Sequence, residues 1–225
     1  MLATSLGPSR VVLKTDPEAC VGEAAMEFRL TYEGQLYGMS ARSSHRAGHK
    51  HEIRRVFHKQ LRRYWELHPY LRVATVSHRR AGQVQPPRLL RDHLSKEYSR
   101  CGYNFVPLVT PSLSLICAVD ILFLRPSLPG EVMASGDLDN RLKTIFDALR
   151  VPENQSELGG YDVPLDDEKP FYCLLSDDKL ISHVSVETDT LLQPTGEKED
   201  ANDARLVIAI KLRPFDVGWD NISFG

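Results

Sequence analysis

The strongest constraint in this chain is an apolar run at residues 112–124, in which both alternating sets of positions are hydrophobic. A strand with two apolar faces is expected in the interior of a sheet that is covered on both sides. Asp120 lies inside the run, and a carboxylate there needs a local hydrogen-bonding partner. With Ser114 and Asp120, the run is too short and too polar to span a bilayer. The pattern therefore predicts a central β-strand.

Other segments show the alternation of strands or the periodicity of helices. Alternation predicts half-buried strands at 26–32 and 206–212, a further strand is expected at 181–186, and Glu33-Gly34 is a turn signal. A strong helix is expected from Glu52 to about His68, and a second one from about Asp139. The apolar stripe of the first helix comprises Ile53, Val56, Phe57, Leu61 and Tyr64. Residues 71–76, 87–98 and 105–109 are interpreted as a strand, a short helix and an edge strand interrupted by Pro107.

These elements predict an α/β (α+β) fold, a single domain in which a mixed β-sheet is packed by a few helices. Residues 1–24 are expected to be an irregular lead-in, and residues 25–225 the domain. The acidic, turn-rich stretch at about 153–176 is expected to be an exposed insertion in that domain.

Charge is divided unevenly along the chain. Residues 1–130 hold 19 Lys and Arg against 10 Asp and Glu, whereas residues 131–225 hold 9 against 20. A basic half joined to an acidic half suits a protein that holds a polyanion with one part and a metal with the other. The four cysteines show no metal-binding spacing and are expected to be reduced thiols. The N-terminus lacks a signal pattern, so a cytoplasmic protein without membrane contact is expected.

The candidate catalytic residues lie in Gly136-Asp137-Leu138-Asp139-Asn140-Arg141-Leu142-Lys143. If this segment enters the helix in an extended conformation, Asp137 and Asp139 point to the same side. Lys143 then follows Asp139 by one helical turn, which places an ammonium beside two carboxylates. Such a group can hold a divalent metal and a phosphate, although a helix cap and a surface ion pair are the plainer interpretation.

Basic residues are concentrated in a loop expected at 40–51 and on two stripes of the first predicted helix. A face of one charge sign, without acidic partners four residues away, favours contact with an anion such as DNA phosphate. The candidate DNA-binding residues are Arg42, Arg46, Lys50, Arg54, Arg55, Lys59, Arg62 and Arg63. The histidines His45, His49 and His51 match no zinc-finger spacing, so phosphate contact is the preferred interpretation of the loop.

The joint pattern resembles the RusA-type Holliday junction resolvases. The residues that carry the resemblance are Asp137-Leu138-Asp139-Asn140, Lys143, Phe146-Asp147-Ala148-Leu149 and Asp177-Asp178-Lys179-Leu180-Ile181, together with the strands at 112–124 and 204–212. The resemblance is strongest over about 110–213.

The resemblance implies a homodimeric enzyme that cleaves Holliday junctions or other branched DNA in recombination or repair. Asp137, Asp139 and Asp178 would hold Mg²⁺, with Mn²⁺ as a possible substitute, and Lys143 would assist. Magnesium suits this set because it takes oxygen ligands and keeps several waters. Asp166-Asp167 is a second candidate for the third ligand, ranked lower because Pro170 argues against a strand immediately after it. Two other functions stay open, a non-catalytic module that binds DNA or protein, and a metal-dependent phosphohydrolase that acts on nucleotides.

Overall fold

The computed structural model describes residues 12–14, 26–37, 43–77, 79–80, 83–84, 86–126, 137–196 and 200–216. Over these ranges the chain is a mixed α/β fold in which four helices pack against mixed β-sheets. The helices are α1 (Ser43–Leu67), α2 (Pro69–Val73), α3 (Leu90–Glu97) and α4 (Asp137–Leu149). The strands are β1 (Val12–Lys14), β2 (Glu27–Gln35), β3 (Thr75–Ser77), β4 (Arg79–Arg80), β5 (Gln83–Val84), β6 (Arg88–Leu89), β7 (Ser99–Arg100), β8 (Tyr103–Val109), β9 (Leu115–Arg125), β10 (Phe171–Leu175), β11 (Ile181–Thr190) and β12 (Asp203–Pro214).

The predicted central strand is confirmed as β9, which lies inside a four-stranded sheet of order β11-β9-β12-β2. Strand β11 runs parallel to β9, whereas β12 runs antiparallel to both β9 and β2. The expectation of two buried faces was wrong, since Val119 on one face of β9 is 0% exposed while Leu122 and Leu124 on the other are partly exposed. Asp120 lies on the partly exposed face and accepts a hydrogen bond from Lys211 Nζ at 3.4 Å. The expected local partner of this carboxylate is therefore present.

Strand β2 forms one edge of this sheet and continues through the predicted turn at Glu33-Gly34. Gln35 pairs with Asp203 of β12, so the chain stays extended beyond the glycine. The side-chain amide of Gln60, on α1, accepts from the backbone N–H of Thr31 at 2.9 Å and donates to its carbonyl at 2.7 Å. A side chain thus satisfies the strand edge that would otherwise invite another strand.

Helix α1 covers the buried face of the sheet with a row of residues spaced four apart. Ile53, Phe57, Leu61 and Trp65 are at most 2% exposed and belong to the main hydrophobic core. Val56, predicted on this stripe, is 38% exposed, so that assignment was wrong. The helix also begins at Ser43, so the loop expected at 40–51 is helical from residue 43. The small and polar residues at the start of this helix show no helical periodicity of apolar side chains, so the sequence pattern does not predict it. Contacts with distant parts of the chain stabilise this part of the helix.

A second sheet, of order β10-β8-β7, contacts α1 through β10. Strands β8 and β10 pair in parallel, and β8 therefore lies between two strands rather than at an open edge. Phe105 and Phe171, both 0% exposed, belong to a smaller core together with Leu158. Strand β10 starts directly after Pro170, which overturns the argument that this proline excludes a strand.

The acidic segment at 153–176 is packed into the structure, which corrects the expectation of an exposed insertion. Leu158 is 0% exposed, and Glu168 is 3% exposed. Residues 155–158 form a 3₁₀ turn that ends at Gly159 with a φ of +62°, and this turn lies against α1. A Cβ added to Gly159 would lie 2.0 Å from the backbone nitrogen of Gly48, so residue 159 must be a glycine for this close approach, whereas a Cβ at Gly48 would make only an ordinary contact at 3.5 Å.

The neighbouring glycines give a matched test of this packing. Gly159→Ala and Gly160→Ala both place alanine at a positive φ, of +62° and +96°, but a Cβ at Gly160 meets no atom within 4 Å. Gly160→Ala should lower the free energy of unfolding by about 1–2 kcal/mol through backbone strain alone. Gly159→Ala should cost at least about 2 kcal/mol more, because its Cβ overlaps the α1 backbone. Urea denaturation measures both, and equal losses would contradict the close approach.

Candidate metal and nucleic-acid site

Helix α4 presents the predicted catalytic residues on its exposed face. Ile145 and Leu149 are 0% exposed and anchor the helix in the main core, with Leu142 partly buried beside them. Asp139 and Lys143 are both exposed and lie one turn apart, as the sequence pattern predicts. This face of α4 therefore offers a carboxylate and an ammonium to the surface.

The start of α4 differs from the predicted geometry. The backbone is helical from Asp137, so the extended entry that would point Asp137 and Asp139 to the same side is absent. In a helix, side chains two positions apart diverge by about 200°. Convergence of these two carboxylates would then depend on the side-chain conformation of Asp137, which lies outside the described side chains.

The third predicted ligand lies on a 3₁₀ turn, Asp178–Leu180, between β10 and β11. Asp177 caps this turn, and its carboxylate accepts the backbone N–H of Lys179 at 3.0 Å. That hydrogen bond is the main reason that the pKa of Asp177 is lowered from its ordinary value. Because Asp177 has this structural role, Asp178, whose side chain is exposed, is the better candidate for a ligand.

The elements that carry Asp139 and Asp178 are neighbours. Helix α4 contacts the 178–180 turn, and Leu138 and Leu180 both pack against the main core. Two exposed carboxylates on adjacent elements, with Lys143 nearby, fit the oxygen ligands that Mg²⁺ prefers. Within the described side chains, which leave out that of Asp137, no three His, Cys, Asp or Glu residues are grouped closely enough to hold a metal ion. A three-carboxylate site at this place therefore needs a carboxylate from outside the described side chains, and Asp137 is the predicted one.

The other end of α4 is fixed by Arg54, which is 1% exposed. Its guanidinium donates to the backbone carbonyls of Asp147 at 2.7 Å and of Arg150 at 3.2 Å. The last carbonyls of a helix have no partner within the helix, and a cation there also interacts favourably with the helix dipole. The side chain of Asp147 forms ion pairs with Lys50 and with Arg150. Asp147 is therefore a structural residue, as expected from its distance along the helix from Asp139.

Part of the basic surface predicted on α1 contacts the acidic segment. Arg55 forms an ion pair with the buried Glu168, and Arg62 donates to the carbonyl of Asp167 at 3.2 Å. Arg62 also pairs with Glu66, four residues away at 3.1 Å, which corrects the view that α1 lacks acidic partners. The opposite net charges of the two halves of the sequence are the feature from which this internal pairing could have been predicted.

The predicted DNA-binding residues accordingly fall into separate groups. Arg54 is buried and has no surface to offer DNA, and Lys50 and Arg55 are held in ion pairs. Lys59 is exposed, and the side chains of Arg62 and Arg63 are 47% and 66% exposed. Arg46 is partly exposed, whereas Arg42 lies outside the described residues. The outer face of α1 thus retains Lys59, Arg62 and Arg63 as exposed cations, of which Arg62 and Arg63 share the exposed carboxylate of Glu66.

Two histidines of α1 lie in an aromatic environment. His51 is 0% exposed, with its ring 5.1 Å from that of Tyr161 and 5.7 Å from that of Phe171. His58 accepts the backbone N–H of Tyr172 at Nδ1, at 2.8 Å, and its Nε2 lies 3.1 Å from the carbonyl of Asp167. Burial lowers the pKa of both imidazoles, that of His51 to about 3. These rings are packing elements that join α1 to the segment around β10.

Comparison of the chain with protein-family models, with curated proteins and with solved structures gave no match. The resemblance to RusA-type resolvases therefore depends on the residues quoted above and on no wider similarity. No helix within the described ranges combines the length and the apolar character needed to cross a membrane.

The buried imidazole of His51 predicts how stability depends on pH. Its pKa is about 3 in the folded protein, against 6.5 for an ordinary histidine. Between these values the unfolded chain binds a proton that the folded chain does not. The free energy of unfolding should therefore fall as the pH falls below about 6.5, with His51 contributing up to about 1.4 kcal/mol per pH unit.

Substitution of His51 tests this contribution. Between about pH 6.5 and pH 4.5, His51→Gln should reduce the slope of the free energy of unfolding against pH by an amount that corresponds to at most one proton. Urea denaturation at several pH values measures this slope. His183→Gln is the matched control, because the side chain of His183 is 58% exposed. A His51→Gln variant with the slope of the parent protein would show that this imidazole is not held neutral by burial.

Proposed function

We propose that this protein is a magnesium-dependent endodeoxyribonuclease that acts on Holliday junctions or other branched DNA. The observation that carries the proposal is the contact between the two elements that present Asp139 and Asp178, with Lys143 exposed on the same helix as Asp139. The resemblance to RusA-type resolvases supplies the class of substrate, and it also implies a homodimer that can cleave opposed strands.

Each residue has a distinct role in this mechanism. Asp139 and Asp178, together with Asp137, would hold Mg²⁺, which would lower the pKa of a nearby water and stabilise charge on the phosphate. Lys143, one turn after Asp139, would neutralise the scissile phosphate or orient the attacking water. Asp177 maintains the turn that presents Asp178. Arg54 and Asp147 position α4 from its far end and touch no reacting group.

The neighbouring aspartates of the turn test the metal-binding assignment. Asp178→Asn should abolish Mg²⁺-dependent cleavage of a four-way junction, because it removes a ligand charge. Asp177→Asn should keep most of the activity, because asparagine caps a turn about as well as aspartate. Gel assays of both variants, with thermal denaturation as the check on folding, give the comparison. If Asp177→Asn lost cleavage while Asp178→Asn kept it, Asp178 would not be a metal ligand.

The alternative function is a module that binds DNA or protein without turnover. It keeps the exposed cations of α1 but needs no metal. Calorimetric titration with Mg²⁺ or Mn²⁺ separates the two functions, because the nuclease should bind in the low-millimolar range or tighter and lose that binding in Asp178→Asn. Retained junction binding without any metal binding would favour the module.

The accessible cations on α1 predict the salt dependence of DNA binding. Lys59→Ala and Arg63→Ala should each weaken junction binding and reduce the slope of log K against log salt by roughly 0.9, if each side chain neutralises one phosphate. Arg213→Ala, at an exposed position on β12, is the control and should leave the slope unchanged. Fluorescence anisotropy at several salt concentrations measures the slope. Identical slopes in all three variants would place the DNA on another surface.

A further inference from the structure

Two cavities lie on either side of the turn at Gly159-Gly160, and both glycines line both cavities. The first has a volume of about 610 Å³ and the second about 580 Å³. Both volumes lie in the range of small-ligand sites. Because Gly159 and Gly160 line both cavities, the cavities adjoin at this turn, where neither residue has a side chain. One ligand of moderate size would therefore reach from one cavity into the other across the turn.

The first cavity is aromatic and polar, and its charge is negative. It is lined by Tyr32, Gln35, Tyr37, Gly48, His49, Glu52 and Tyr161, in addition to the two glycines. The rings of Tyr37 and His49 lie 4.8 Å apart, and the hydroxyl of Tyr161 donates to Glu52 at 2.9 Å. These described residues include no lysine or arginine, so this cavity does not suit a phosphate. Aromatic faces beside carboxylate and amide oxygens suit a flat heterocycle that carries N–H donors.

The second cavity has the opposite chemistry. It is lined by Arg46, Ala47, Lys50, Ser156 and Glu157, and again by the two glycines. Lys50 is paired with Asp147, and Glu157 lies 3.3 Å from Arg150. Arg46 lines this cavity and is partly exposed, and its guanidinium matches the oxygens of a phosphate.

We propose that the two cavities together bind one nucleotide unit, with the base in the aromatic cavity and the phosphate beside Arg46. The glycine turn separates the two moieties, and the sugar crosses it where no side chain intervenes. The ring of Tyr37 stacks against the base, while Glu52 meets its polar edge. The nucleotide can come from a DNA strand, as a base unstacked at a branch point, or from a free mononucleotide.

The first source rests on the proposed function, because it makes the nucleotide part of the DNA substrate. An unpaired base at a branch has lost part of its stacking, so moving it into a protein pocket costs less than extracting it from an intact duplex. Binding at this site would let the protein distinguish branched from linear DNA without reading a sequence. It needs neither metal nor cleavage and can be measured separately.

The experiment uses the full chain in the presence of EDTA and two fluorescent probes. One probe is 2-aminopurine deoxyriboside 5′-monophosphate, and the other is a four-way junction with a single 2-aminopurine at the branch point. Stacking on a tyrosine should quench the emission on binding. Quenching of the junction probe alone identifies an unstacked nucleotide of DNA, and comparable affinity for the monophosphate identifies a free nucleotide, so either result supports the site.

Variants assign the two halves of the site. Tyr37→Ala should weaken probe binding at least roughly fivefold, whereas Tyr37→Phe, which keeps the ring, should bind like the parent. Arg46→Ala should weaken binding of the monophosphate but not of the 2-aminopurine nucleoside, which has no phosphate. Arg213→Ala is the charge control and should change neither.

The outcomes that overturn this proposal differ from those that overturn the nuclease. If neither probe is quenched, or if Tyr37→Ala and Tyr37→Phe bind the probes with equal affinity, the aromatic cavity does not bind the base. If Arg46→Ala weakens binding of the nucleoside and of the monophosphate equally, Arg46 does not bind the phosphate. Either failure can accompany normal junction cleavage that is lost in Asp178→Asn, and the site can likewise bind nucleotide in a protein without nuclease activity.

Discussion

The arrangement of this protein depends on the hydrogen bonds that the buried guanidinium of Arg54 donates. This guanidinium joins the middle of α1 to the carbonyls at the end of α4, and Lys50 and Arg150 hold the side chain of Asp147 beside it. Burial lowers the pKa of Arg54, yet this burial is tolerated because the guanidinium meets backbone acceptors that the helix itself leaves unsatisfied. With its C-terminal end fixed in this way, α4 directs Asp139 and Lys143 to the surface, beside the turn that carries Asp178.

The same logic explains the uneven charge of the sequence. The basic helix α1 lies against the acidic segment that follows α4, and ion pairs such as Arg55 with Glu168 link the two. Part of the charge that resembles a DNA-binding surface, at Lys50, Arg54 and Arg55, therefore stabilises the fold. The accessible cations form a smaller surface at Lys59, Arg62 and Arg63, while the Gly159-Gly160 turn divides an aromatic cavity from a basic one.

Local patterns predicted the elements well where burial follows a simple period. The strands around Val119, Leu30 and Ile208 and the helix that holds Ile145 were all evident, because each contributes a regular apolar face to one core. The start of α1 could not be predicted from the sequence, because Gly48 and His51 do not favour a helix. Their roles are contacts with Gly159 and Tyr161, which lie more than 100 positions away. The packed state of the acidic segment was missed for the same reason. The cavity residues Tyr37 and Tyr161 are 124 positions apart, and no short motif unites them.

The candidate metal site depends on the approach of residues from α4 and from the turn after β10. The pairing of these elements could be inferred only from a resemblance, because helix periodicity places Asp139 and Lys143 but not Asp178. Diffraction from a crystal soaked in Mn²⁺, recorded at the manganese absorption edge, would test the approach directly. A single anomalous peak at about 2.2 Å from carboxylate oxygens of both Asp139 and Asp178 is the predicted result. Manganese bound elsewhere, with those two carboxylates more than about 10 Å apart, would contradict the account.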